Sequence, residues 1–182
     1  MKRIAWLLSV LFVIACARGE PQKQVQATTN NKETGGMNIS SPAFRDNGSI
    51  PAKYTCDGAN TNPPLAFAGV PQNAKSLALV VDDPDAPGGT FDHWIVWNIS
   101  PSATNIAEGQ PPQGVGGRNG FGKSGYGGPC PPSGEHRYQF RVYALDATLN
   151  LPASSSKADL EKAMNGHISA QAQMVGRYRR GS

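Results

Sequence analysis

The sequence predicts a mainly β fold, an antiparallel β-sandwich with one short helix late in the chain. Several segments are apolar either continuously or at every second residue, which is the spacing of strands. The links between them are rich in Gly and Pro, with 21 and 15 of these residues among 182. Because 38% of the residues are apolar, the chain can bury the core of one domain with short appendages.

Three segments have the clearest strand patterns. Residues 76–81 are almost continuously apolar, which is typical of a strand buried on both sides. Residues 91–99 and 136–145 alternate, and we expect all three segments to lie at the centre of a packed sheet. The alternation places His93, Ile95, Trp97 and Ile99 on one face, Trp94, Val96 and Asn98 on the other, and His136, Tyr138, Phe140, Val142 and Ala144 toward the core.

Residues 38–40, 53–55, 65–67 and 168–175 are weaker strand candidates. The one helical segment begins after Ser156, which can cap it together with Asp159, and Gly166 can end it. Its apolar stripe consists of Leu160, Ala163 and Met164. The basic residues 177–180 are expected to form a solvated tail.

The N-terminus predicts export. Lys2 and Arg3 precede an apolar run that ends at residue 15, which is typical of a signal peptide over residues 1–15. Residues 13–16, Val-Ile-Ala-Cys, resemble the lipobox of bacterial lipoproteins, so Cys16 is the expected lipidation site. Residues 16–36 then form a flexible tether and residues 37–182 the domain.

The expected location is the bacterial cell envelope. Because Ala17 stands where an inner-membrane retention signal needs Asp, the lipobox resemblance implies the periplasmic face of the outer membrane. Ala15-Cys16-Ala17 also fits ordinary signal peptidase cleavage, which would leave a soluble periplasmic or secreted protein. No stretch of ~18 apolar residues is present, so the only membrane contact we expect is the N-terminal lipid.

The charge balance argues against nucleic acid as a partner. The whole chain has a net charge of +4, and removal of residues 1–15 leaves 15 basic and 13 acidic side chains. Such a small excess does not indicate electrostatic binding to a polyanion.

Two loops carry the residues with chemical potential. The first follows the apolar strand at residues 76–81 and places Asp82, Asp83 and Asp85 among prolines, a pattern that an Asp-rich turn also explains. The second spans residues 109–134, of which 15 of 26 are Gly or Pro, and a loop of this length in a compact domain is usually functional or disordered. Its glycines let backbone N–H groups approach an anion closely.

Two histidines begin strands beside these loops, and together they predict a small anion pocket. We expect Asp83 and Asp85 to orient His93 and His136 and to favour their protonated forms. The ring N–H groups, the Gly128 backbone and the Tyr138 hydroxyl would then donate to a phosphate or carboxylate. Each feature has a structural explanation on its own, so the prediction depends on their combination.

The order of these blocks resembles the phosphatidylethanolamine-binding protein family, in its bacterial Raf-kinase-inhibitor-like branch. The resemblance covers about residues 38–180 and is carried by residues 54–58 (YTCDG), 83–87 (DPDAP), His93, residues 125–132 (GYGGPCPP) and residues 134–138 (GEHRY). It implies a β-sandwich whose anion pocket accepts phosphorylated head groups, without an established catalytic activity. It also allows a protein partner, with inhibition or modulation of another enzyme. Carried over by position, the ligand-binding residues are Asp83, Asp85, His93, Gly128, Pro129, His136 and Tyr138.

The cysteines decide between this prediction and its alternatives. With Cys16 lipidated, Cys56 and Cys130 are expected to pair in an oxidising compartment. If they do not, Cys130, His136 and an aspartate could form a thiol hydrolase. Two Asp and two His could instead bind Zn²⁺ for a metal hydrolase, although no closely spaced ligand motif supports it. We therefore predict a binding protein without catalytic residues, metal or cofactor.

Overall fold

The computed structural model describes residues 36–181. It contains nine strands, one helix and one 3-10 turn in this part of the chain. The strands are β1 (Asn38–Ser40), β2 (Gly48–Ser49), β3 (Leu65–Ala68), β4 (Ser76–Asp83), β5 (Phe91–Ile99), β6 (Asn105–Ile106), β7 (Val115–Gly116), β8 (Glu135–Leu145) and β9 (Ile168–Arg179). The helix is α1 (Lys157–Met164), and the 3-10 turn is Ala52–Tyr54.

The strands form two sheets. The small sheet has the order β1-β3-β6, and the large sheet has the order β2-β9-β8-β4-β5-β7. All pairs are antiparallel except β2 with β9. This arrangement confirms the mainly β class with one late helix.

The large sheet is covered on both faces. On one face, Leu79, Val81 and Phe140 pack in a single cluster with Ile39 and Phe67 of the small sheet. The other face packs against the helix through a second cluster. Every residue of β4 is buried because β4 lies between both layers, which explains its continuous apolar sequence.

Helix α1 begins and packs as its sequence predicts. The Ser156 hydroxyl accepts the Asp159 backbone N–H, and the Asp159 carboxylate accepts the Ser156 backbone N–H, so the two residues form a capping box. Leu160 and Met164 point into the second cluster on the sheet. The cap is worth about 1 kcal/mol, and the buried side chains attach the helix to the sheet.

Two local predictions are wrong. Residues 53–55 do not form a strand, because the backbone turns through the 3-10 segment, in which Tyr54 N–H bonds the Pro51 carbonyl. Residues 177–180 are not a solvated tail, because β9 continues to Arg179. Tyr178 is buried, and its hydroxyl donates to Asp57 over 2.7 Å.

The expected disulfide is present. Cys56 and Cys130 are bonded, with their Cα atoms 5.4 Å apart. The bond joins the segment after the 3-10 turn to the Gly-rich loop, where Cys56 N–H also donates to the Pro129 carbonyl. The loop is therefore fixed to the body of the domain by covalent and hydrogen bonds.

The predicted signal peptide, the lipidation site Cys16 and almost all of the tether lie outside the described residues. Among residues 36–181, no helix has the length and apolarity needed to cross a membrane.

Candidate functional site

The site lies at one end of the large sheet, where a bulge in β5 changes the direction of His93. Val81 of β4 pairs with Trp94 and Asp82 pairs with Asp92, so His93 is the extra residue between them. Its ring packs edge-to-face on Tyr138, with centroids 5.2 Å apart, and Tyr138 belongs to the cluster between the sheets. The expected shared face of His93, Ile95 and Trp97 is therefore wrong for His93.

A second irregularity changes Ile99 in the same way. The β4–β5 register shifts between Leu77 and Leu79, and Asn98 has a positive φ of 55°. Ile99 consequently lies with Val96 in the cluster between the sheets. Only Ile95 and Trp97 remain on the helix side.

The Gly-rich loop holds His93 through Gly127. The His93 Nδ1 lies 2.6 Å from the Gly127 carbonyl oxygen, and Gly127 N–H donates to the His93 carbonyl over 2.9 Å. Because a carbonyl oxygen can only accept, Nδ1 carries the hydrogen and Nε2 carries the lone pair of the neutral ring. Burial lowers the pKa of His93, against the opposing effects of the Gly127 carbonyl and of nearby carboxylates.

Asp83 holds the second imidazole. The His136 Nδ1 lies 2.7 Å from the Asp83 Oδ2, and both side chains are less than a tenth exposed. The other carboxylate oxygen accepts the Asp85 backbone N–H over 2.8 Å, which fixes the carboxylate in the turn after β4. The pair has the geometry of an oriented imidazole with Nε2 directed away from the carboxylate.

Both imidazoles face one cavity of about 370 Å³, within the usual size range for small-molecule sites. Neither Nε2 has a hydrogen-bond partner within residues 36–181. The other lining residues come from the end of β4, the turn after it, the first residue of β5 and the Gly-rich loop: Asp83, Ala86, Pro87, Gly88, Gly89, Thr90, Phe91, Phe121, Cys130 and Pro132.

Tyr138 supplies a buried hydroxyl close to the same groups. The side chain is 1% exposed, and its hydroxyl has no hydrogen-bond partner in the described part of the chain. Burial, together with the charge of Asp83, raises the pKa of Tyr138 well above its usual range. The hydroxyl therefore stays protonated. Tyr138 does not line the cavity, however, so its observed contribution is to support the His93 ring rather than to donate to a ligand as expected.

The three clustered aspartates have three different partners. Asp82 points to the helix side, where its carboxylate binds Arg141 and the Lys157 Nζ at 2.8 Å. Asp83 points to the cavity, since successive side chains of a strand face opposite sides. Asp85 binds Arg137, whose guanidinium and backbone N–H donate to it, and these bonds lower the pKa of Asp85 to about 2.

The structure therefore brings together Asp83, His93, His136 and Tyr138 but separates Asp85 from them. The Asp85 carboxylate contacts neither imidazole and does not line the cavity, so it does not orient a ring as expected. Its own contribution is to fasten the turn to the first residues of β8 through Arg137.

Gly128 and Pro129 also serve the loop rather than the cavity. The Gly128 N–H donates to Asn60 Oδ1 over 2.7 Å, so it is not available to an anion. A Cβ at Gly128 would lie 2.4 Å from the Tyr54 carbonyl oxygen, so the close approach of the two segments requires glycine. The role expected of the Gly128 backbone as an anion donor does not fit this geometry.

The sequence interpretation missed the aromatic residues of the cavity. Phe91 and Phe121 form an edge-to-face pair with ring centroids 4.8 Å apart, and each also contacts the His93 ring. Phe91 lies two residues before the bulged histidine, and Phe121 lies between Gly120 and Gly122 in the Gly-rich loop. A large apolar residue isolated among glycines was the available signal.

The geometry of the described residues gives little support to the two hydrolase alternatives. The Cys130 sulfur is bonded to Cys56 and is not a free thiol, so a Cys130/His136 hydrolase lacks its nucleophile. Among residues 36–181, no group of three or more His, Cys, Asp or Glu side chains has a metal-binding arrangement.

Together, these features define a β-sandwich protein with a cavity lined by two buried histidines. The sequence profile of the phosphatidylethanolamine-binding protein family matches residues 40–179. The chain belongs to this family of binding proteins.

The relatives agree with this assignment over nearly their whole length. A UPF0098 protein of Methanothermobacter thermautotrophicus is 52% identical over 151 residues, which are 80% of this chain and 100% of that protein. A crystal structure of a phosphatidylethanolamine-binding protein homologue from Chlamydia trachomatis is 45% identical and has a TM-score of 0.79, covering 81% of this chain and 99% of its own. The crystal structure of Escherichia coli YbcL, described as a member of the mammalian family, is 34% identical with a TM-score of 0.74, covering 79% and 98%.

Proposed function

We propose that the cavity binds the phosphate or carboxylate group of a small ligand and that the chain does not catalyse a reaction on it. One observation carries this proposal: two imidazoles, each fixed through Nδ1, line the same cavity and leave Nε2 without a partner in the described part of the chain. When protonated, the two rings offer two donors to one anion. The family name and the head-group binding that it describes agree with such a ligand.

The absence of catalysis is proposed from the chemistry of the lining. The disulfide removes the thiol of Cys130, and His136 has no hydroxyl or thiol nucleophile bonded to it. The arrangement orients donors without supplying a group that attacks the ligand.

Thermal unfolding with inorganic phosphate tests this function. A ligand that binds only the folded state at 100 times its Kd stabilises it by about 2.7 kcal/mol, which for a domain of this size raises the Tm by roughly 5–10 °C. The variant His136→Ala should lose this rise, while His167→Ala should retain it, because His167 is half exposed and paired with Asp146. An equal rise in both variants, or none in the unmodified protein, would contradict the proposal.

We also propose that the chain is exported and held in the envelope by a lipid on Cys16. A disulfide in the domain is consistent with an oxidising compartment. In a Gram-negative host, Cys16→Ser should move the chain from the outer-membrane fraction to the soluble periplasm or block its processing. If the unmodified chain is already soluble after cleavage, the lipid anchor is wrong and simple secretion is right.

A further inference from the structure

The cavity offers more apolar surface than a bare inorganic anion can use. Its polar groups are deeply buried, with His93 and His136 only 4% and 7% exposed, whereas Phe121 at the rim is 47% exposed. Between these limits the lining is mostly apolar, from Ala86, Pro87, Phe91 and Pro132. Small-ligand sites with few polar groups inside an apolar lining usually hold ligands that have both kinds of surface.

Phe121 is exposed but held in place. Its ring lies directly on Gly127, where an added Cβ would be 2.3 Å from the ring, and its edge packs on Phe91. The loop backbone is fixed by Asn119, whose side-chain oxygen accepts the N–H groups of Phe121 and Lys123. The Asn119 amide also donates to the Gly125 carbonyl over 3.0 Å. An exposed aromatic ring that is held in this way is organised in advance for a contact.

The rings form a continuous path from the rim to the histidine. The Phe121 ring centroid lies 5.6 Å from the His93 ring centroid at 79°, and the Phe91 ring lies 5.2 Å from it at 65°. These are edge-to-face arrangements, and aromatic pairs attract over centroid separations of about 4.5–7 Å. A flat ring joined directly to an anion at His93 would therefore lie within contact range of Phe121.

We propose that the site selects anions whose acidic group is attached to a planar apolar ring, of the aryl phosphate type, with Phe121 and Phe91 as the wall that contacts the ring. This inference depends on the proposed anion site and specifies its ligand class. An alkyl phosphate also joins an anionic group to an apolar group. The rings of Phe91 and Phe121, however, are nearly perpendicular, and we expect this pair to favour contact with a third flat ring over contact with a flexible chain. A flexible chain also loses more conformational entropy when it is ordered.

Calorimetric titration with three matched ligands tests the proposal. Inorganic phosphate measures the anion site alone, phenyl phosphate adds a six-carbon ring, and n-hexyl phosphate adds six carbons as a chain. We expect phenyl phosphate to bind about tenfold more tightly than either of the others, as one favourable aromatic contact supplies. Equal affinities for phenyl and inorganic phosphate, or tighter binding of the hexyl ester, would overturn the aryl assignment.

Variants locate the contact. Phe121→Ala and Phe121→Leu should both lower the ratio of phenyl to inorganic phosphate affinity by about threefold, because neither retains the Phe121 ring while Phe91 still contacts the ligand. Ile168→Ala removes the other large exposed apolar side chain of the described residues and should leave the ratio unchanged. An unchanged ratio of phenyl to inorganic phosphate affinity in Phe121→Ala would contradict this inference but not the proposed function. Failure of all three ligands to bind the unmodified protein would contradict the proposed function itself.

Discussion

Anion binding at the two imidazoles should take up a proton, and His93 is the group expected to take it. Burial lowers the pKa of His93, so its ring is neutral near pH 7 and presents a lone pair at Nε2. An anion without hydrogens cannot donate to that lone pair. It therefore binds only when Nε2 is protonated, and binding and protonation are coupled.

The magnitude follows from the competition between charge attraction and the cost of protonation. An imidazolium and an anion about 4 Å apart attract by about 4 kcal/mol at an effective dielectric constant of about 20. Protonating a neutral ring costs about 1.4 kcal/mol for each pH unit above its pKa. The attraction thus offsets the cost over about three pH units. Within that range the affinity should fall about tenfold per pH unit.

The pH dependence of the affinity follows from the environment of the His93 ring. Asp83, Asp82 and Asp92 all act on His93 and favour its charged form, while burial acts against it and dominates. A bound anion adds a further negative charge and so raises the pKa of His93. Affinity is therefore greatest below the pKa of the free ring and is lost as the pH rises through that of the complex.

Titration calorimetry with sulfate measures this coupling, because sulfate does not change its charge between pH 5 and 8. Comparison of two buffers with different ionisation enthalpies should show close to one proton taken up per sulfate at pH 7. His93→Gln should abolish that uptake, because an amide can donate without gaining a proton. Sulfate binding with constant affinity over this pH range and no proton uptake would refute the reasoning.

Three further predictions concern stability. Replacing Cys56 and Cys130 by Ser removes a disulfide that spans a sequence separation of 74. Urea unfolding should show that the free energy of unfolding falls by up to ~4 kcal/mol, and an unchanged midpoint would contradict this prediction. Phe140→Ala removes a fully buried ring, should cost about 3–5 kcal/mol and is checked in the same way. The pKa of Asp85 in the folded protein is about 2, so the ionised carboxylate stabilises the fold above pH ~4 and this stabilisation is lost as the pH falls toward 2. Acid titrations should therefore show that the stability difference between wild type and Asp85→Asn shrinks over this interval.

Much of the framework was predictable because it is encoded locally. The continuous apolar run of β4 and the alternation of β8 follow from the number of faces each strand buries. The Ser156 and Asp159 pair identifies the beginning of α1, since both groups bond the backbone of the same turn. The disulfide followed from the number of cysteines and the expected compartment.

The errors occurred where distant segments determine the conformation. The short strands β2, β6 and β7 have two residues each and exist through their pairing partners, so they have no periodicity of their own. Residues 177–180 looked like a charged tail, but pairing with β8 and the Tyr178 contact with Asp57 hold them in the sheet.

The sequence by itself determined which chemical groups the site contains: two histidines at strand beginnings, an acidic turn and a Gly-rich loop. The tertiary structure decided how they are used. The β5 bulge directs His93 toward Tyr138, and Phe121 lies at the rim beside His93. Arg137 binds the Asp85 carboxylate, and Asn60 accepts the Gly128 N–H, so neither group is available to a ligand. The reason is physical: residue type and spacing act over a few positions, whereas pairing register and the choice among competing hydrogen-bond partners depend on segments that meet only in the folded chain.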